Sequence, residues 1–228
     1  TSGRGRERSS LKFTSKTLCS FRGGSTSATS CTRRIQKEIR DLEDGDKSSK
    51  ISIKIVGDSM SLMEGTFQGP QDTPYENGTF VVRIEIPARY PFEPPKVKFL
   101  TKVWHPNISS KTGVICLDIL KDQWSPTLTL KTTILSIQAL MSSPVPEDPQ
   151  DAVVARQYLD DEALWKETAA MWTERWAMPE QKRHRVNSLL QTMRDMGFRK
   201  DASLKALEDS NWDMQNAIDH LVTDALED

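Results

Sequence analysis

The sequence has no run of about 18 consecutive apolar residues, the length a helix needs to cross a bilayer, so no membrane partner is expected. It has only three cysteines, Cys19, Cys31 and Cys116, and no C-x-x-C pair. Its three histidines, His105, His184 and His220, complete no zinc spacing. These shortages argue against a metal site and a disulfide framework, and they point to a reducing compartment. Net charge is also nearly absent, at -1 for 228 residues. That excludes a dedicated nucleic-acid binder.

What is present is ordinary for a globular chain: 36% hydrophobic and 28% charged residues. The length allows one or two domains with a core that needs no covalent staples. The charge is unevenly spread. Residues 1–34 carry eight Lys/Arg against a single acid, Glu7, leaving 23 basic against 31 acidic residues in the rest. The N-terminal segment is Ser-, Thr- and Gly-rich with few apolar residues, so residues 1–32 read as a disordered basic extension. The same composition suits an organelle transit peptide, and an extension upstream of the native start is the plainer alternative.

Ile35, Ile39 and Leu42 fall at i, i+4 and i+7, which predicts a helix from Arg33 to Glu43 with Arg33, Arg34, Lys37 and Arg40 on its outer face. Strands are predicted around Ile51–Ile55, Leu62–Gln68, Phe80–Ile86 and Val97–Leu100, with Asn77-Gly78 as a turn signal. Tyr90-Pro91-Phe92-Glu93-Pro94-Pro95 reads as a rigid loop, because proline cannot donate to a sheet ladder. Phe92 in it is either a buried anchor or an exposed knob. Trp104–Thr127 has no periodicity, and long irregular segments in compact domains are often functional. Helices follow at Lys131–Met141, Asp151–Tyr158 and Glu162–Trp176. This is an α+β domain over residues 33–177, with a four-stranded antiparallel meander between an N-terminal helix and C-terminal helices. A linker at 178–181 then leads to a three-helix bundle at 182–228, in which Gly197 suits a turn with positive φ.

His105-Pro106-Asn107, the run Gly113-Val114-Ile115-Cys116-Leu117-Asp118-Ile119-Leu120, Trp124-Ser125-Pro126, the Tyr90–Pro95 loop and Thr73-Pro74-Tyr75-Glu76 stand in one order and spacing. Together they resemble the ubiquitin-conjugating enzyme family over about Arg33 to Ala177. Met196-Gly197-Phe198 in the terminal bundle looks like a ubiquitin-associated domain. The pair resembles the subgroup that carries such a module.

The resemblance implies a transferase that takes ubiquitin from the activating enzyme as a thioester on Cys116 and passes it to a lysine amine of a substrate or another ubiquitin. It further implies polyubiquitin chains that mark proteins for the proteasome, in the cytoplasm and also the nucleus. No cofactor is expected; ATP is consumed by the partner activating enzyme. Thiolates are the nucleophiles in such chemistry, and Cys116 is the one cysteine inside the predicted body. Asn107 matches the family's asparagine, as an oxyanion donor or as a loop brace through side-chain-to-backbone bonds. His105 matches a loop-bracing position. Asp148 matches an acidic gate that would orient the attacking lysine; alternatively Glu147, Asp148 and Asp151 form a solvated cluster at a helix start. Arg33, Arg34 and Lys37 would dock the activating enzyme, and Phe92, Trp124 and Pro126 would be gripped by ligases. Met196, Gly197, Phe198, Leu221 and Val222 would bind ubiquitin non-covalently, raising its effective concentration. Two other classes compete: a ubiquitin-binding adaptor without chemistry, and a cysteine hydrolase using Cys116 with His105.

Overall fold

The computed structural model describes residues 26–44 and 50–227. Helix α1 runs Thr26–Asp44 and is followed by β1 (Ser52–Ile55), β2 (Leu62–Gln68), β3 (Thr79–Glu85) and β4 (Lys96–Phe99). The sheet order is β1-β2-β3-β4 with every neighbouring pair antiparallel, the predicted meander. Alternation sets its two faces. Met63 and Phe67 of β2, Phe80, Val82 and Ile84 of β3, and Val97 and Phe99 of β4 all turn inward and are buried. Asn77 adopts φ +64 in the β2–β3 turn, a conformation asparagine tolerates.

Helix α2 (Leu130–Ser142) covers this face with Leu130, Ile134, Ile137 and Met141. Its start is fixed by a capping box: the Thr129 hydroxyl accepts from the Thr132 amide while the Thr132 hydroxyl accepts from the Thr129 amide. Helices α3 (Ala152–Asp160) and α4 (Glu162–Ala177) are capped by Asp151 and Asp161. The last three helices are α5 (His184–Asp195), α6 (Lys200–Asp209) and α7 (Met214–Glu227).

Two boundaries differ from expectation. Helix α1 begins at Thr26, so residues 26–32 are helical and not part of a disordered extension. Cys31, one turn before Ile35, packs against the main core and gives this stretch an apolar contact that composition alone conceals. The rest of the extension, 1–25, lies outside the described residues. At the other end, the 178–181 linker is partly taken up by a 3-10 turn at Glu180–Lys182. The terminal bundle also shares its core with the larger domain. Met171 of α4 is buried with Val186, Leu190, Met193, Leu207, Trp212 and Ala217. An Arg175–Glu208 ion pair at 2.7 Å joins α4 to α6 beside that contact.

Candidate active site

The irregular segment 103–117 is held by backbone pairing to a sheet edge. The Phe99 amide donates to the Gly113 carbonyl at 2.8 Å and an isolated bridge joins Lys98 to Val114, while within the segment a second bridge joins Ile108 to Ile115. Gly113 sits at φ +74, and a Cβ there would lie 2.2 Å from the Phe99 carbonyl oxygen. Only glycine lets the chain pass β4 this closely. Three residues later, the Cys116 amide donates to the Asn107 carbonyl at 2.8 Å, which fixes the cysteine over the buried His105–Asn107 turn.

Asn107 is 2% exposed. Its side-chain amide donates to the carbonyls of Val145 (2.7 Å) and Asp148 (3.0 Å), and its oxygen accepts from the Val145 amide (2.8 Å). Both N–H groups are therefore engaged in holding the 145–148 loop. Of the two roles considered for Asn107, this geometry is the brace. Stabilising an oxyanion would require one of these bonds to open. His105 is fully buried. Its Nδ1 accepts from the Asn107 amide at 3.0 Å, which leaves Nε2 to donate to the Leu140 carbonyl at 3.1 Å. Burial pushes its pKa down to about 3, so the ring is neutral. With both nitrogens committed and no contact to sulfur, it offers no base for a hydrolase dyad.

The braced loop brings Asp148 to the thiol: Cys116 Sγ lies 3.3 Å from Asp148 Oδ2. From the other side, Lys121 Nζ lies 3.3 Å from Sγ. The thiol is partly exposed in an open cavity of about 420 Å³ lined by Asn107, Asp118, Lys121, Asp122, Val145 and Asp148 among others. The acidic cluster at 147–151 divides by role. Asp151 caps α3 and also accepts from the Ser110 hydroxyl and amide, whereas Asp148 faces the sulfur. Lys121, Asp118 and Asp122 were not singled out from the sequence. Their signal is proximity, because the 3-10 turn at Asp118–Leu120 folds the chain just after Cys116 back over it. Among the described residues no cluster of three His, Cys, Asp or Glu side chains is placed to hold a metal, and no helix is long and apolar enough to cross a membrane.

The ubiquitin-conjugating enzyme family model matches residues 34–173, from the first helix through α4. The chain belongs to the ubiquitin-conjugating enzyme family. Ubiquitin-conjugating enzyme E2 27 of Arabidopsis thaliana is 50% identical over 188 residues, covering 82% of this chain and 96% of that protein. Ubiquitin-conjugating enzyme E2 K of Homo sapiens is 43% identical over 193 residues, covering 84% and 96%. A solved ubiquitin-conjugating E2 domain from Toxoplasma gondii matches with TM-score 0.61 and 50% identity, covering 64% of this chain and 99% of that one. This ubiquitin-conjugating enzyme is accordingly a transferase of the ubiquitin pathway.

The other surfaces expected of such an enzyme are placed unevenly. Arg33 and Lys37 are exposed on α1. Arg34 is not on the outer face: it pairs with buried Glu38 and donates to the Pro126 and Leu128 carbonyls at 3.3 and 3.1 Å. The helical period assigned it outward, but its length lets it bend around the helix to a partner far along the chain. Phe92 is 74% exposed, the knob rather than the anchor. Pro126 is exposed as well. Trp124 is half-buried; its indole donates to the Pro91 carbonyl at 2.7 Å and its ring tilts against Tyr90. It therefore supports the Phe92 loop from beneath. In the terminal bundle, α5 ends in a tight cap in which the Phe198 amide donates to the Met193 carbonyl and the Gly197 amide to Arg194, with Gly197 at φ +96. Met196 and Val222 are exposed, while Phe198 and Leu221 are partly buried against the small core.

Proposed function

We propose that this enzyme carries ubiquitin as a thioester on Cys116 and transfers it to lysine amines, including those of another ubiquitin, so that chains are built for proteasomal degradation. The observation that carries the reading is Cys116 Sγ, accessible in an open cavity between Asp148 and Lys121. In loading, the Cys116 thiol gives its proton to water of the open cavity, and the sulfur released on the activating enzyme takes one up in turn. Sulfur attacks the carbonyl carbon of the ubiquitin thioester on the activating enzyme, whose own thiolate leaves. In transfer, a neutral lysine amine attacks the new carbonyl and the Cys116 thiolate leaves. The amine is ordinarily protonated at neutral pH; on this reading the Asp148 carboxylate, 3.3 Å from the sulfur, accepts or orients its proton.

On this reading the terminal bundle, with Met196 and Val222 outward, is a ubiquitin-associated module that holds an acceptor or chain near the cavity. Arg33 and Lys37 receive the activating enzyme, which uses the ATP. Phe92 and Pro126 receive ligases, and the protein works in the cytoplasm and nucleus. The test is a loading reaction with ubiquitin, activating enzyme and ATP on a non-reducing gel. A thiol-sensitive adduct lost in Cys116→Ala and kept in Cys31→Ala supports the proposal. A folded wild type without an adduct would instead favour an adaptor.

A further inference from the structure

Arg34 and Glu38 have the spacing of an exposed helical ion pair, yet Glu38 is 5% exposed. Its carboxylate accepts from the Arg34 guanidinium, from the Tyr90 hydroxyl at 3.0 Å to each oxygen, and from the Leu130 amide at 2.8 Å. Burial beside this carboxylate holds the Tyr90 phenol well above its usual range, so it stays a donor. Each partner sits at the root of something exposed. Tyr90 precedes Pro91 and Phe92. Leu130 opens α2, just after the Trp124–Pro126 loop, and its amide is one of the donors that a helix start leaves without an intrahelical partner. Arg34 adds its bonds to the Pro126 and Leu128 carbonyls, and Trp124 closes the ring by donating to Pro91. One carboxylate thus joins the basic helix to both loops that expose Phe92 and Pro126.

A buried ion pair is weak evidence for a stability role, because an apolar replacement often serves stability as well or better. None of these partners lines the Cys116 cavity. We infer that Glu38 is a positioning residue for ligase-stimulated transfer, fixing the Phe92 and Pro126 loops relative to each other and to α1. The inference rests on the proposed role of those two loops. It also reassigns Arg34 from docking the activating enzyme to strapping the ligase-facing surface.

The test uses the full chain with Glu38→Gln and Tyr90→Phe. Four quantities are read: loading by the activating enzyme, discharge of the preloaded thioester to free lysine, the same discharge with an isolated RING-type ligase domain chosen because it accelerates the wild type, and amide hydrogen exchange. Loading and ligase-free discharge should stay within about twofold of wild type, while RING stimulation falls about tenfold in Glu38→Gln and about threefold in Tyr90→Phe, the scale of losing charged and single hydrogen bonds. The loss should appear as a higher RING concentration for half-maximal effect. Exchange should quicken in segments 90–94 and 124–130 and not in β2 or β3. Tyr90→Phe keeps its ring packing and tests the inference even if Glu38→Gln fails to fold. Unchanged stimulation in folded variants, or an equal fall in ligase-free discharge, would overturn the inference while leaving the carrier reading intact. A folded wild type that takes up no ubiquitin would overturn both.

Discussion

Around Cys116 the side chains that shape the surface are polar and tied to backbone. Asn107 holds Val145 and Asp148, His105 holds Leu140 and Asn107, and Asp151 holds Ser110 and the start of α3. At the tip of the terminal bundle they are apolar and largely free. Met196 is 54% and Val222 45% exposed above a core of a few residues. The first arrangement fixes atoms to within a hydrogen bond, which bond-making chemistry needs. The second presents area, which reversible binding needs. Replacing a residue therefore has different consequences in the two places. Where a pocket residue braces backbone, as Asn107 does, function and stability fall together; at the tip, binding can fall alone.

The sharpest way to break this comparison is Asn107→Ala. It leaves the Val145 amide and the Val145 and Asp148 carbonyls of the exposed 145–148 loop without their buried partner, so unfolding free energy should drop by about 1–3 kcal/mol, read by denaturant titration. Lysine discharge should fall as the 145–148 loop loosens and Asp148 leaves the sulfur. A stable Asn107→Ala that still discharges normally would mean the brace is idle. Asp148→Asn separates chemistry from bracing, because the Asn107 contact there is to backbone. Discharge to free lysine should slow by about a hundredfold, in the range general-base removal costs, with little change in loading or stability.

Acid should strike the turn beneath Cys116. The unfolded chain protonates His105 near pH 6.5, whereas the folded chain resists protonation down to about 3. Stability is therefore lost as pH falls through that window, by up to about 1.4 kcal/mol per pH unit from this group. His105→Gln should flatten the slope between pH 6.5 and 4.5 in urea titrations. The smallest stability effect is expected from Met196→Glu. Unfolding free energy should move by no more than about 0.5 kcal/mol, as for other surface changes. Ubiquitin binding, followed by NMR titration of the full chain, should weaken about tenfold. A comparable loss of stability would place Met196 in the core and erase the contrast.

Period and turn chemistry made most of the scaffold legible. The four strands, the Asn77-Gly78 turn and the positive φ of Gly197 could be read because each depends on residues a few positions apart. What escaped depends on partners far along the chain. Arg34 and Glu38 look like an ordinary surface pair until Tyr90, Pro126 and Leu130 come into view. Lys121 looks like one more solvated lysine until the 3-10 turn brings it to the sulfur. Residues 26–32 carry too little apolar character to register, although Cys31 among them packs against the core. Periodicity tells which face a residue occupies, but not how far a long charged side chain can bend from it.

The most direct measurement sets the two regions side by side: intact-mass spectrometry of loading reactions with wild type, Cys116→Ala and Met196→Glu, before and after thiol treatment. Wild type and Met196→Glu should each gain one ubiquitin that thiol removes, and Cys116→Ala should gain none. A thiol-sensitive adduct on Cys116→Ala, or its absence from Met196→Glu alone, would contradict the division between a pocket that carries ubiquitin and a surface that holds it.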